Sequence, residues 1–243
     1  MMDIFGFRMP FLKADKQISI VQITVLFFTI VIVLFATVFV IQFNANKIIN
    51  EKNKAISNYA LCMESAEKLH SGTEALTIEA RLFVSGKGTE HSYRHRDEIQ
   101  KDRGGRAVAQ LEKSDVDKDA IKALSEGYSF AEELRQREML AMALVANTYV
   151  YNNETMTEEL SSFPIPNDYA QLSNDELIKA AEGLVFGIDY IILKEKVSNK
   201  IDACIERAKN VHYQQWKDSS VIYQKYRQAR NFTQGILFVL MML

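Results

Sequence analysis

The sequence predicts an all-α protein, an antiparallel four-helix bundle whose long first and last helices continue into transmembrane spans. Three observations carry that expectation. With only 10 Gly and 3 Pro among 243 residues, turns are scarce and helices must be long. Residues 23–41, ITVLFFTIVIVLFATVFVI, hold no charge and no polar residue except threonine. A seven-residue recurrence follows directly, through Ile48, Ala55, Cys62, Leu69, Leu76 and Phe83. No run of any length alternates with the period of a strand.

The first span is placed at residues 18–43. Its uncharged run, at about 1.5 Å per residue, crosses a hydrocarbon core of roughly 30 Å. It is longer than the apolar region of about 7–15 residues in a cleaved signal peptide. Phe43-Asn44-Ala45-Asn46 is also a poor cleavage site. Arg8, Lys13 and Lys16 before the run balance Lys47, Lys52 and Lys54 after it, so positive charge does not orient it. Length does: residues 1–17 form a short cytoplasmic tail, and the long segment 44–231 lies outside.

Within that segment, Tyr59, Ala66, Thr73 and Ala80 supply the second position of the first helix's seam. Ser85-Gly86-Lys87-Gly88 ends the helix. A charged second helix is predicted from about Glu90 to Leu111, bent or interrupted at Gly104-Gly105. Ser114–Asp117, SDVD, opens a third with Ser114 as cap. The buried stripe of the third is Ile121, Leu124, Tyr128, Ala131, Leu134, Ala141, Val145 and Thr148. A Pro-bearing loop spans 152–168, with a helical turn around Met156–Leu160. Ser173 then caps a fourth helix, with Glu176 returning the bond. This helix is predicted to run unbroken through Leu177, Ala181, Leu184, Ile188, Ile191, Ser198, Ile201, Ile205, Ala208 and His212. Charges stop at Arg230, and residues 232–243 read as the start of a second, truncated span.

Composition excludes several functions. Net charge −2 and pI near 6.1 give no basic face for nucleic acid. No HExxH, GxSxG, Walker or dinucleotide motif is present, so no catalytic residue and no cofactor is assigned. His91 and His95 have the i,i+4 spacing of a metal pair, but Arg94 and Arg96 flank them. An exposed polar face is expected there, and no metal ligand is assigned. His70 and His212 are expected to pack at seams, and Tyr149, Tyr151 and Trp216 to be core or interface aromatics. Helical rise from the two membrane edges puts Cys62 and Cys204 about 13 Å apart in height. A disulfide tolerates no more than about 7 Å between Cα atoms, so two free thiols are expected.

Arg81 stands out because it is a guanidinium in an apolar stretch near the first turn. It is the candidate clamp for a small carboxylate ligand, with Tyr93 and Arg96 across the turn completing a pocket. The favoured competing reading is an ion pair with Glu79, Glu90 or an Asp of a facing helix.

Two stretches, EALTIEARLFVSGKGTEHSYRHRDEI and ELIKAAEGLVFGIDYIILKEKVSNKID, resemble the N-terminal transmembrane helical sensor region of Firmicutes signalling proteins. These include GGDEF-type diguanylate cyclases and hybrid histidine kinases. More distantly, the chain is similar to four-helix-bundle chemoreceptor and CHASE3-type sensors. Gly86-Lys87-Gly88 departs from the Gly-Asp of the family turn. The resemblance covers roughly residues 18–240. It implies a membrane-bound, multi-pass sensor whose cytoplasmic output domain, a diguanylate cyclase or histidine kinase, is missing from this chain. The small seam residues Ala55, Ala66, Ala80, Ala181 and Ala208 would let helices slide, and two chains are expected to pair as a homodimer. The alternatives are a chemoreceptor input domain, a membrane-tethered scaffold without a ligand, or an anchored enzyme whose active site lies downstream.

Overall fold

The turn-poor stretch after the apolar run is one helix with that run, α1, Ile20–Val84. The computed structural model describes residues 20–151 and 156–242, with the backbone alone for Tyr149 and Met241. The predicted cytoplasmic tail with Arg8, Lys13 and Lys16, the start of the 152–168 loop, and Leu243 lie outside the described residues. So does the side chain of Tyr149. The remaining helices are α2 (Glu90–Lys101), α3 (Arg103–Glu112), α4 (Lys118–Ala146), α5 (Glu158–Ser161), α6 (Asn174–Phe186) and α7 (Ile188–Met242). Among the described residues there is no strand, and the long helices pack on one another.

The chain divides into two units, residues 1–50 with 220–243, and 51–219. In the first, α1 carries a stretch long and apolar enough to cross a membrane, none of it buried. Phe28 is 60% and Phe35 57% exposed. The end of α7 runs unbroken through the predicted second apolar run to Met242. Ala45, Thr233 and Leu237 are buried, and Arg230 Nη1 donates to Gln42 Oε1 at 3.4 Å, tying the two segments together.

In the second unit the predicted seam is the buried edge of α1. Ala55, Cys62, Ala66, Leu69, Thr73, Ala80 and Phe83 are all buried. α7 lies antiparallel beside it: Tyr59 stacks on His212 at 5.3 Å, and Lys194 Nζ donates to Glu74 Oε2 at 2.8 Å. α4 packs against α3, α5 and α6. At the end of α1, Gly86 and Gly88 take φ of 70° and 134°, and Lys87 N donates to Leu82 O at 3.1 Å. Those two positions need glycine.

Several predicted boundaries move, each for a local reason. The second helix breaks at Asp102 rather than at the glycine pair. Asp102 adopts φ 42° and its Oδ1 accepts from Gly105 N at 3.1 Å, so it caps α3. Gly104 serves packing instead: a Cβ there would lie 2.8 Å from Leu69 Cδ1 and 2.9 Å from Tyr128 Cδ2. Ser114 does not cap α4. Its hydroxyl donates to Leu111 O at 2.6 Å, closing α3, while Asp117 Oδ1 takes the Asp119 and Ala120 amides at 3.1 and 3.3 Å. At Ser173 the predicted return bond is present, with Ser173 N donating to Glu176 Oε2 at 2.8 Å.

The largest correction is in the last helix. It is two helices, because Gly187 is extended, with ψ 164°. A Cβ on Gly187 would meet Gly183 O at 2.2 Å, so no other residue fits this close approach. One extended residue resets the helical phase. Ile188 and Ile191, predicted to be buried, are 69% and 42% exposed, and Ser198 is exposed too. The buried face of α7 keeps Ile201 and Ala208, as predicted, and adds Tyr190, Leu193, Val197 and Cys204.

Candidate functional site

The phase reset brings Tyr190 inward, where it meets the most polar part of the interior. Glu138 of α4 is 1% exposed. Its Oε1 accepts from Thr77 Oγ1 of α1 at 2.9 Å and from the Tyr190 hydroxyl of α7. Thr77 and Tyr190 also touch each other at 2.8 Å. Its Oε2 lies 3.4 Å from Nε2 of His95 on α2, a ring that is itself 1% exposed. One carboxyl group thus ties four helices. Burial, and then the Glu138 carboxyl beside it, push the Tyr190 phenol well above its ordinary range, so it stays protonated and donates.

The predicted exposed histidine face does not exist. His91 and His95 both turn inward, and His91 Nδ1 sits 2.6 Å from Glu79 Oε2. The helix repeat that would align them for a metal aligns them equally well against a neighbour. Among the described residues no group of three or more His, Cys, Asp or Glu is arranged to hold a metal ion. His70, predicted to pack at a seam, is exposed, whereas His212 is half-buried against Tyr59 as expected.

Arg81 makes none of the predicted ion pairs, since Glu79 is taken by His91. Its Nε donates to Val185 O at 3.0 Å, at the end of α6 where a helix leaves carbonyls unbonded. The guanidinium carbon stands 5.1 Å from the Phe186 ring centre and 5.2 Å from that of Tyr190. Two aromatic faces and one carbonyl therefore hold the cation by cation–π attraction and a hydrogen bond, and no carboxylate among the described residues is paired with it. Beside it runs a groove of about 230 Å³ between α1 and α7, lined by His70, Thr73, Glu74, Arg81, Lys194 and Glu195 among others. Its lining holds two cations, Arg81 and Lys194, and two carboxylates, Glu74 and Glu195, with Lys194 paired to Glu74 at 2.8 Å.

The other two predicted ligand residues lie elsewhere. Arg96 Nη2 donates to Asp97 Oδ1 at 3.0 Å and its guanidinium stands 5.4 Å from the Tyr93 ring. Arg96 lines a separate cavity of about 50 Å³ with Ser92, His95, Met139 and Met142. The structure therefore pairs Tyr93 with Arg96 and sets Arg81 in a different recess. Tyr151 is a core aromatic, stacked on Phe83 at 4.4 Å with its hydroxyl on Phe83 O at 2.6 Å; Trp216 is 41% exposed beside Tyr213.

Sequence reasoning missed Thr77, His95, Glu138 and Tyr190 as a set. A signal existed for two of them. Glu138 fills the gap between Leu134 and Ala141 in the predicted stripe of α4, and Thr77 the gap between Thr73 and Ala80 in α1. No protein family, no curated protein and no solved structure matches this chain.

Proposed function

We propose that the chain is the sensory input region of a membrane-bound bacterial signalling protein. In this reading an antiparallel four-helix bundle lies outside the cell, and two spans carry its state to a cytoplasmic output of diguanylate cyclase or histidine kinase type. One observation carries the reading: α1 is a single 65-residue helix that holds both the apolar, unburied stretch and the groove residues Thr73, Glu74 and Arg81. A small anion that displaces Glu74 from Lys194 and binds Arg81 as well would bridge α1 and α7, because Arg81 belongs to the first helix and Lys194 to the last. Such a ligand shifts the helix pair only by its difference in affinity between two packings, and a few kcal/mol suffices.

Two measurements test this. The exposed Lys87 marks the turn after α1. In Lys87→Cys, a membrane-impermeant maleimide should label intact cells; labelling only after lysis refutes an extracytoplasmic body. In a fusion of the chain to a diguanylate cyclase reporter, Arg81→Ala and Lys194→Ala should change cyclic dinucleotide output at equal expression. Unchanged output from both favours a tethered scaffold instead.

A further inference from the structure

The two cysteines form a site that neither the groove nor the polar cluster uses. Cys62 of α1 and Cys204 of α7 are free thiols, each at 0% exposure. They belong to one apolar cluster with Ala66, Leu69, Leu124, Ile201 and Ala208. Contrary to the expected 13 Å offset in height, Cys62 lies 15 residues before Thr77 on α1 and Cys204 lies 14 residues after Tyr190 on antiparallel α7, so with Thr77 and Tyr190 in contact at 2.8 Å the two cysteines stand at nearly one level (about 1.5 Å per residue). The offset was reckoned from where each apolar run begins, but the level of a residue in a helix pair is set by register. That register is visible on both sides of the cysteines, in Tyr59 against His212 and Glu74 against Lys194. Small buried neighbours, Ser65, Ala66 and Ala208, allow the backbones to come close.

We propose that Cys62 and Cys204 are the site of an intramolecular disulfide that joins α1 to α7, formed by exchange with a disulfide oxidant of the extracytoplasmic space. The hydrogen bond from Cys204 holds the Cys62 thiol below its ordinary range, against burial and the nearby Asp117; the same contact, with burial, pushes Cys204 up. Once the helices part, Cys62 attacks as the thiolate. It displaces one thiolate from the oxidant and forms a mixed disulfide. Cys204 then gives up its proton and attacks Cys62 Sγ, expelling the oxidant's second sulfur. One disulfide forms and one breaks, and two electrons and two protons pass to the oxidant. Both sulfurs are sealed from solvent, so exchange requires α1 and α7 to part locally. The supply of oxidant rests on the extracytoplasmic reading above; the pairing of the two sulfurs does not.

The test uses the full chain in detergent micelles with oxidised glutathione, followed by denaturation, maleimide labelling and intact-mass measurement. The expected product takes no maleimide before reduction and two after, and yields one peptide pair linked through Cys62 and Cys204. Its thermal midpoint falls when it is reduced, and Cys62→Ser gives no link. Two maleimides without reduction, a stable glutathione adduct, or cross-linked pairs of chains overturn the proposal. The same count is made on cells whose thiols are trapped at harvest. Linked cysteines there support it, and free cysteines with Lys87→Cys labelled from outside overturn it. Free cysteines in cells with Lys87→Cys unlabelled, alongside a bond formed in micelles, uphold the site and refute only the extracytoplasmic reading.

Discussion

Replacing Glu138 by alanine removes the one group that four helices share, and its cost can be worked from the contacts. Thr77 and Tyr190 keep each other at 2.8 Å, so of their two hydroxyl hydrogens one loses its acceptor. Nε2 of His95 loses its 3.4 Å neighbour. A buried polar group without a partner costs roughly 1–3 kcal/mol. The space left by the carboxyl and its methylenes adds about 1–2 kcal/mol. Taken near the lower end of these ranges, the sum is about 4 kcal/mol. Glu138→Gln keeps a carbonyl oxygen for the two hydroxyls and offers an amide to His95, so its loss should be about 1 kcal/mol. In a chain of this size a loss of 1 kcal/mol moves the melting point by roughly 2–4 °C. Thermal unfolding followed by helical circular dichroism in micelles should therefore put Glu138→Ala about 8–16 °C below the parent, and Glu138→Gln near it. A fall of less than about 3 °C for alanine, or equal falls for the two variants, refutes the idea that hydrogen bonding at this carboxyl organises the interior.

Two further outcomes follow from the same packing. Gly104→Ala drives a methyl into Leu69 and Tyr128, at 2.8 and 2.9 Å; overpacking of this kind should cost about 1–3 kcal/mol, read as a lower melting point with unchanged helix content. Asp117 is hydrogen-bonded to Arg207 at 2.9 Å, which holds its carboxyl below the usual range. Its folded value lies below its unfolded one, so the stabilisation is full above about pH 4 and is lost as pH falls through the lower, folded value. Asp117→Asn retains a good helix cap but no charge, so its melting point should fall less steeply than the parent's below about pH 4. Parallel acid limbs for the two chains would contradict that assignment.

What could be read from the sequence was whatever depended on spacing along one helix. The seam of α1 was legible because six positions seven residues apart leave one face to bury, and Cys62, Leu69 and Phe83 lie on it. The turn at Gly86 and Gly88 was legible because only glycine enters that backbone region cheaply. What was hidden depended on pairs of helices. Gly187 lies in a strongly helical stretch, and nothing local says that one extended residue there will turn Ile188 outward and Tyr190 inward. Glu138 and His95 are types normally found in water, and their burial becomes intelligible only when the partner hydroxyl and carboxyl arrive from other helices. Arg81 stands out in the sequence as a guanidinium in an apolar stretch, but its partners are a carbonyl and two rings, which charge counting cannot find.

The cluster around Glu138 also bears on how α1 and α7 can move. A purely oily contact is nearly indifferent to small displacements along the axis, because one methyl replaces another. Hydrogen bonds are lost within about an ångström of travel, and the next comparable position is a full turn away, about 5.4 Å. The hydroxyls of Thr77 and Tyr190 on one carboxyl therefore act as a detent that resists gradual creep between the two helices.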